Sequence, residues 1–115
     1  MLKIAVVLLA IGAVGGLVMA ARIFSGRQAP WPLSILHALL GATALVLILL
    51  NVINGSGGIL LASLVLLAIA AVGGFFLASF HARDQLPPKG VIVIHALVAV
   101  AGFLRLLGAV FAPAA

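Results

Sequence analysis

Four long apolar runs, separated by short polar segments, make up nearly the whole chain. They extend over Leu2–Phe24, Pro32–Val52, Gly58–Phe80 and Lys89–Phe111. An α-helix needs about 20 predominantly apolar residues to cross the hydrocarbon core of a bilayer, and each run has that length. The pattern predicts an all-α fold, an integral membrane four-helix bundle without a soluble domain.

The three separating segments have the composition of turns. They read SGRQAPW, NGSGG and HARDQLPP, and their Gly, Pro, Asn and Asp residues favour chain reversal over regular structure. Segments this short connect neighbouring antiparallel helices. The four predicted helices therefore form two successive hairpins.

The second half of the chain repeats the first. VLLAIGAVGG at 7–16 and VLLAIAAVGG at 65–74 agree at nine of ten positions. The same shift of 58 residues, without a gap, pairs Pro30 with Pro88 and superimposes the two HAL triplets. Because most residues of the chain are apolar, chance matches between segments are frequent, but they do not account for nine matches in ten positions.

The repeat predicts a tandem duplication of one transmembrane hairpin. Repeat one covers 1–57 and repeat two covers 58–115, and together they form a single transmembrane domain. Because each repeat crosses the membrane twice, both copies have the same orientation. Parallel repeats of this kind are related by an axis along the membrane normal.

Composition supports the membrane class and excludes several functions. The chain is 67% hydrophobic and 6% charged, with a net charge of +5 and no cysteine. Five of its seven charged residues lie at the ends of apolar runs or between them, so the positive charge indicates membrane anchoring and not nucleic-acid binding. The absence of cysteine excludes thiolate metal sites and covalently attached haem. With one acidic residue, carboxylate pairs are excluded, which favours an electron carrier or a subunit over a stand-alone enzyme.

The basic residues also predict the topology. Four of the six flank the first and third turns: Arg22, Arg27, Arg83 and Lys89. By the positive-inside rule these turns are cytoplasmic, although Lys3 and Arg105 lie on the opposite side. We therefore expect a bacterial inner-membrane protein with both termini on the non-cytoplasmic side.

Each repeat carries one histidine near the start of its second helix. His37 and His95 lie five residues past Pro32 and Gly90, about 8 Å inside the helix at 1.5 Å per residue. Small residues four and seven positions later share a helical face with each ring. These residues are Gly41, Ala44, Ala99 and Gly102. An ionisable side chain at this depth indicates a functional site by default.

The first helix of each repeat carries small residues at every fourth position. They are Gly12, Gly16 and Ala20 in repeat one, and Ala70, Gly74 and Ala78 in repeat two. Such stripes are typical of close helix packing in membranes. The additional glycines Gly15 and Gly73 suggest a second interpretation. Because glycine has no side chain, the helix surface at these positions leaves room for a flat cofactor.

Two histidines at equivalent depth, beside these glycines, resemble the haem-binding four-helix cores of membrane b-type cytochromes. The resemblance is architectural and covers most of the chain, but this sequence has one histidine pair where larger members have two. It implies one haem b, with His37 and His95 as axial ligands of the iron. It also implies electron transfer between a quinol and a partner protein. Cofactor contacts are expected at Gly15, Gly16, Gly41, Gly73, Gly74 and Ala99, with Arg22, Arg27, Arg83 and Lys89 as partners of the haem propionates.

Other interpretations remain open at this point. Each histidine can form a hydrogen bond to a neighbouring helix, with Ser34 as one candidate partner of His37, or hold a chlorophyll-type tetrapyrrole. The chain can instead be a non-catalytic accessory subunit of a larger membrane complex or of a homodimer. His81 has no equivalent in repeat one, and we interpret it as an interfacial residue and not a ligand. Arg105 is expected to reach the membrane surface, a partner's carboxylate or a lipid phosphate.

Overall fold

The computed structural model describes residues 1–55 and 57–112 and contains four α-helices. They are α1, Leu2–Phe24; α2, Trp31–Ile53; α3, Ile59–Ala82; and α4, Lys89–Phe111. Two of the predicted ranges are reproduced, and the other two differ by one or two residues at each end. The second predicted turn includes residue 56 and the second repeat was drawn to 115, so these predictions extend outside the described residues.

All four helices are long and apolar enough to cross a membrane. With 23 or 24 residues each, they measure about 35 Å at 1.5 Å per residue, slightly more than the hydrocarbon core. Their outward side chains are apolar, and Val72 and Phe75 are 70% and 74% exposed. An apolar surface of this extent requires lipid around it, which makes the chain an integral membrane protein.

The first and third turns end their helices in the same way. The N–H groups of Arg27 and Gln85 donate to carbonyls five residues earlier, the pattern of a Schellman motif. The motif needs a residue with positive φ, and Gly26 has φ 85° and Asp84 has φ 53° at positions 58 residues apart. Aspartate tolerates this conformation better than most side chains.

Packing is closest within the two hairpins. Helix α1 packs mainly against α2 and α3 mainly against α4, while α2–α3 and α1–α4 contacts join the hairpins into a bundle of 47 × 22 × 19 Å. The Gln28 side chain donates from Nε2 to the carbonyl of Gln85 at 3.0 Å, which links the first and third turns. We call the end with these two turns the basic end, and the end with Met1, the second turn and Phe111 the terminal end.

Tight packing is concentrated near the terminal end. Thirteen helical residues are buried, and ten of them lie in that half of the bundle. The ten are Ala5, Gly12, Ala44, Ile48, Leu60, Ser63, Leu67, Ala70, Gly102 and Leu106. In the half nearer the basic end only Ile23, His81 and Ile92 are buried among the helical residues described. The two halves of the membrane domain therefore differ in packing density.

Gly102 marks the closest helix approach in the tight half. The buried Ser63 hydroxyl donates to its carbonyl at 2.9 Å. A Cβ added at Gly102 would lie 2.8 Å from Cγ of Leu67 and 3.2 Å from Cβ of Leu66, which is shorter than a van der Waals contact. Glycine at this position lets α3 and α4 approach each other closely.

We expect Gly102→Ala to destabilise the bundle by about 1–3 kcal/mol, because the added methyl overpacks the core against Leu67. Gly108→Ala is the matched control on the same helix, since its Cβ would meet no atom within 4 Å. Thermal unfolding in mild detergent, followed by circular dichroism, measures both. Equal stability of the two variants would contradict the close α3–α4 contact.

Candidate histidine-pair site

Each histidine at equivalent repeat positions donates a hydrogen bond to the backbone of the neighbouring helix. The Nδ1 of His37 lies 2.8 Å from the carbonyl oxygen of Gly12, and the Nδ1 of His95 lies 2.8 Å from that of Ala70. The separation along the chain is 25 residues in both cases. A carbonyl oxygen only accepts, so Nδ1 carries a hydrogen in both rings, and in the neutral form of either ring Nε2 carries a lone pair.

Glycines on α1 and α3 make these hydrogen bonds sterically possible. Gly16 and Gly74 lie four residues after the two acceptor carbonyls. A Cβ there would stand 3.1 Å from Cε1 of His37 and 3.3 Å from Cε1 of His95. In a helix the Cβ leans over the preceding turn, so a side chain at these positions would cover the carbonyl that the imidazole reaches. Gly73 adds to this space, with its Cβ position 3.6 Å from Nδ1 of His95.

The structure assigns different surroundings to the other predicted small residues. A Cβ at Gly15 would contact the Leu33 side chain at 3.5 Å, and one at Gly41 would meet nothing within 4 Å. Ala99, which is equivalent to Gly41, is half-buried. The imidazoles therefore lie against Gly16, Gly73 and Gly74, while Gly15 and Gly41 do not contact them.

The two imidazoles meet across the bundle. Their ring centroids are 6.3 Å apart and their planes make an angle of 67°. They belong to α2 and α4, which are diagonal in the bundle and connected through α1 and α3. The hydrogen bonds of the described residues involve Nδ1 of each ring and leave Nε2 unpartnered. The site therefore brings two imidazoles close together in an apolar surrounding, and each has an Nε2 atom without a hydrogen-bond partner among the described residues.

Two side chains alone do not complete a metal site. The residues that the structure describes contain no group of three or more His, Cys, Asp or Glu side chains arranged to hold a metal ion. A metal held by this pair would need its remaining ligands from elsewhere. The four nitrogens of a porphyrin supply such ligands, with two imidazoles in the axial positions.

Each hairpin also has a shallow apolar groove beside its histidine. The groove between α1 and α2 has a volume of about 340 Å³ and is lined by His37 together with Gly12 and Gly15. The groove between α3 and α4 has about 260 Å³ and is lined by His95 with Ala70 and Gly73. The two grooves occupy equivalent positions in the repeats.

The basic residues of the first turn lie at the end of α1. Arg22 is half-buried and donates from Nε to the carbonyl of Gln28 at 3.3 Å, which ties the turn to the helix. Arg27 is exposed. Both residues are at the same end of the bundle as the helix starts that carry the histidines.

The basic residues near the third turn contact aromatic rings. Arg83 donates from Nε to the carbonyl of Ser79 at 3.1 Å, and its guanidinium lies 4.7 Å from the ring centroid of Phe80. The Lys89 ammonium lies 5.5 Å from the ring centroid of Phe24, across the two hairpins. These contacts anchor both side chains at the basic end, where the sequence placed them.

His81 has a structural environment that the sequence did not indicate. Its ring is 7% exposed and stacks on Trp31, with centroids 3.7 Å apart and planes within 10°. The stack joins the end of α3 to the start of α2 at the basic end. The two residues are 50 positions apart, and nothing in the sequence pattern pairs them.

Comparisons with known proteins give no family assignment. No family model matches the chain, and no curated protein or solved structure matches it significantly.

We expect ¹⁵N NMR of histidine-labelled protein to find His37 and His95 as the neutral form protonated at Nδ1, because both donate to carbonyls. Gly16→Ala should change the signal of His37 and leave His95 nearly unchanged, since the new methyl lies against one ring. Gly41→Ala, which meets open space, is the control. Protonation at Nε2, or equal effects of both substitutions, would contradict the hydrogen-bond assignment.

Proposed function

We propose that the chain is a small integral-membrane b-type haem protein that transfers single electrons within a membrane redox chain. Nε2 of His37 and Nε2 of His95 would be the axial ligands. The observation that carries the proposal is the geometry of the pair: both Nδ1 atoms are fixed by carbonyls, both Nε2 atoms are unpartnered, and the rings are 6.3 Å apart.

The ring separation fits two imidazoles that share one metal ion. With metal–nitrogen bonds of about 2.0–2.1 Å, two imidazoles on opposite sides of an ion have centroids about 6–6.5 Å apart. The observed 6.3 Å lies in this range. Two imidazoles that each have an unpartnered Nε2 would supply the two nitrogen donors that a b-type haem takes from a protein.

The packing of the bundle supports the presence of a flat group near the basic end. Toward the first and third turns, the buried helical residues described are Ile23, His81 and Ile92, compared with ten in the half near the terminal end. The two helices within each hairpin contact each other more extensively than the two hairpins do. A planar group inserted between them would replace weak contacts and would leave the tight half intact.

The haem, when bound, supplies the one-electron redox chemistry, and the chain supplies position and environment. The carbonyls of Gly12 and Ala70 orient the imidazoles and increase the electron density on Nε2, as hydrogen bonds to the remote ring nitrogen do in metal sites generally. Gly16 and Gly74 leave room for the rings. The apolar helices exclude water from the site, which stabilises the neutral forms of its groups relative to their charged forms. The propionates would be held at the basic end by Arg22, Arg27, Arg83 and Lys89.

The repeat supports one site and not two. We propose that 1–57 and 58–115 form duplicated hairpins that each contribute one ligand, because both histidines bind carbonyls 25 residues earlier. We also propose the bacterial inner membrane, with the basic end in the cytoplasm and both termini outside. A membrane quinol is the proposed electron donor and a membrane protein or second copy the proposed partner.

The apolar surface favours a second function, that of an accessory subunit in a larger membrane complex. Large apolar side chains are exposed along all four helices, so each helix has a face available for other membrane segments as well as for lipid. This function requires no cofactor. A chlorophyll-type tetrapyrrole, held by one histidine beside each groove, is the remaining alternative, and it would contain magnesium in place of iron.

We expect the protein purified with an adequate haem supply to contain one haem per chain and a sharp α band in its reduced-minus-oxidised spectrum. His37→Ala and His95→Ala should each remove this low-spin band, because each takes away one axial ligand. His81→Ala is the matched control and should retain the band, since that ring stacks on Trp31. Metal analysis separates iron from magnesium.

Circular dichroism and gel filtration establish whether the variants fold. A folded, colourless wild-type protein would contradict the haem proposal and leave the accessory-subunit function. A band that survives both alanine substitutions would contradict the assignment of the ligands.

The orientation can be measured with single cysteines, because the chain has none of its own. In intact bacterial cells we expect Asn54→Cys, near the terminal end, to react with a membrane-impermeant maleimide. Ser25→Cys, at the basic end, should react only after the membrane is permeabilised, since the positive-inside rule places it in the cytoplasm. The reverse labelling pattern would invert the proposed topology.

A further inference from the structure

Arg105 is the charged side chain deepest within a helix among the described residues. It lies on α4, six residues before Phe111, or about 9 Å from the helix end at 1.5 Å per residue. Its side chain is exposed on the bundle surface. The hydrogen bonds, ion pairs and cation–π contacts of residues 1–55 and 57–112 do not include it. A membrane arginine without an internal partner is costly, and it generally marks a functional contact.

The helix direction makes the nearer membrane surface difficult for Arg105 to reach. Helical side chains lean toward the N-terminus of their own helix, and α4 begins at the basic end. The Cα–Cβ bond of Arg105 therefore points toward the middle of the bilayer, away from the headgroups at the terminal end. Lys3 provides the contrast, because α1 begins at the terminal end and its side chain leans outward. The geometry favours an anionic partner inside the membrane over a lipid phosphate.

The chain itself has no suitable carboxylate. Its one acidic residue, Asp84, lies in the third turn, at the opposite end of the bundle from Arg105. A second copy with the same orientation in the membrane would place its Asp84 at that same opposite end. The equivalent position in repeat one is Leu47, so the charge was not inherited from the repeat. A side-chain carboxylate beside Arg105 would therefore have to come from a different protein.

We propose that the face of α4 around Arg105 binds a transmembrane helix of another protein that carries an Asp or Glu at the same depth. The exposed side chains of Val100, Leu104 and Phe111, at 52%, 60% and 60%, provide the apolar contact around the ion pair. In hydrocarbon the ion pair is strong because neither group has water to compete for it. The interface is independent of the haem proposal and applies whether or not the histidine pair binds a cofactor.

The test uses the full chain in phosphatidylcholine vesicles, labelled at Asn54→Cys. The probe is a 23-residue Leu/Ala transmembrane peptide with a glutamate six residues from each end, so that either orientation matches the depth of Arg105. A peptide with glutamine at these positions is the control. Association is measured by fluorescence energy transfer. We expect the glutamate peptide to bind about tenfold more tightly than the glutamine peptide.

Arg105→Leu introduces the residue type found at the equivalent position of repeat one, Leu47. This variant should bind the glutamate and glutamine peptides equally. Arg83→Leu, at the basic end, should retain the preference for the glutamate peptide, and circular dichroism checks that both variants fold. Equal binding of the two peptides to the wild type would overturn the proposal. Vesicles that contain anionic phosphatidylglycerol provide a second check. The proposal would also be overturned if the chain bound this lipid through Arg105 and the lipid eliminated peptide binding, because the ligand would then be a lipid phosphate.

Discussion

The imidazole hydrogen bond to a helix carbonyl is the interaction on which the histidine site depends. In a membrane a buried ring N–H without an acceptor costs several kcal/mol, because no water can replace the missing partner. His37 and His95 meet this requirement with carbonyls that already serve their own helices. A side chain four positions after the acceptor would crowd the ring, because a Cβ at Gly16 or Gly74 would lie 3.1 or 3.3 Å from Cε1 of the imidazole. One polar group on α2 or α4 thus favours a glycine on α1 or α3.

The helices were predictable because one physical requirement, the length of the hydrocarbon core, determines them. The differences from the prediction lie at the ends of α2 and α3 and amount to one or two residues. Helix α3 was predicted to end at Phe80 because polar residues follow, but it continues to Ala82. The helix ends where Asp84 adopts a positive φ and the Schellman hydrogen bonds form, not where hydrophobicity ends. At a membrane surface a polar residue does not interrupt a helix, since the headgroup region can solvate it.

The candidate site was predictable in its residues but not in its contacts. The repeat alone identified His37 and His95 as a pair, and it singled out glycines on α1 and α3, of which Gly15 does not contact an imidazole. It did not reveal that Gly16 faces the imidazole while Gly15 faces Leu33, because that distinction depends on the rotation of α1 about its axis. Ser34 was one possible hydrogen-bond partner of His37, and the structure has the Gly12 carbonyl instead. The stack of Trp31 on His81 depends on contacts between hairpins, which no local pattern encodes.

The packing of the bundle is uneven because close helix contact and the histidine side chains lie in different halves of it. Near the terminal end, equivalent positions of the two hairpins carry different small residues: Ala5 and Ala44 of the first correspond to Ser63 and Gly102 of the second, and all four are buried. Helix contact there is close enough for a buried hydroxyl to reach a carbonyl across α3 and α4. Toward the basic end the same spacing of histidine and glycine in both hairpins keeps the imidazoles in place, while few side chains are buried. Stability can then come mainly from the closely packed half of the membrane domain, whereas the histidines lie in the half where fewer side chains are buried.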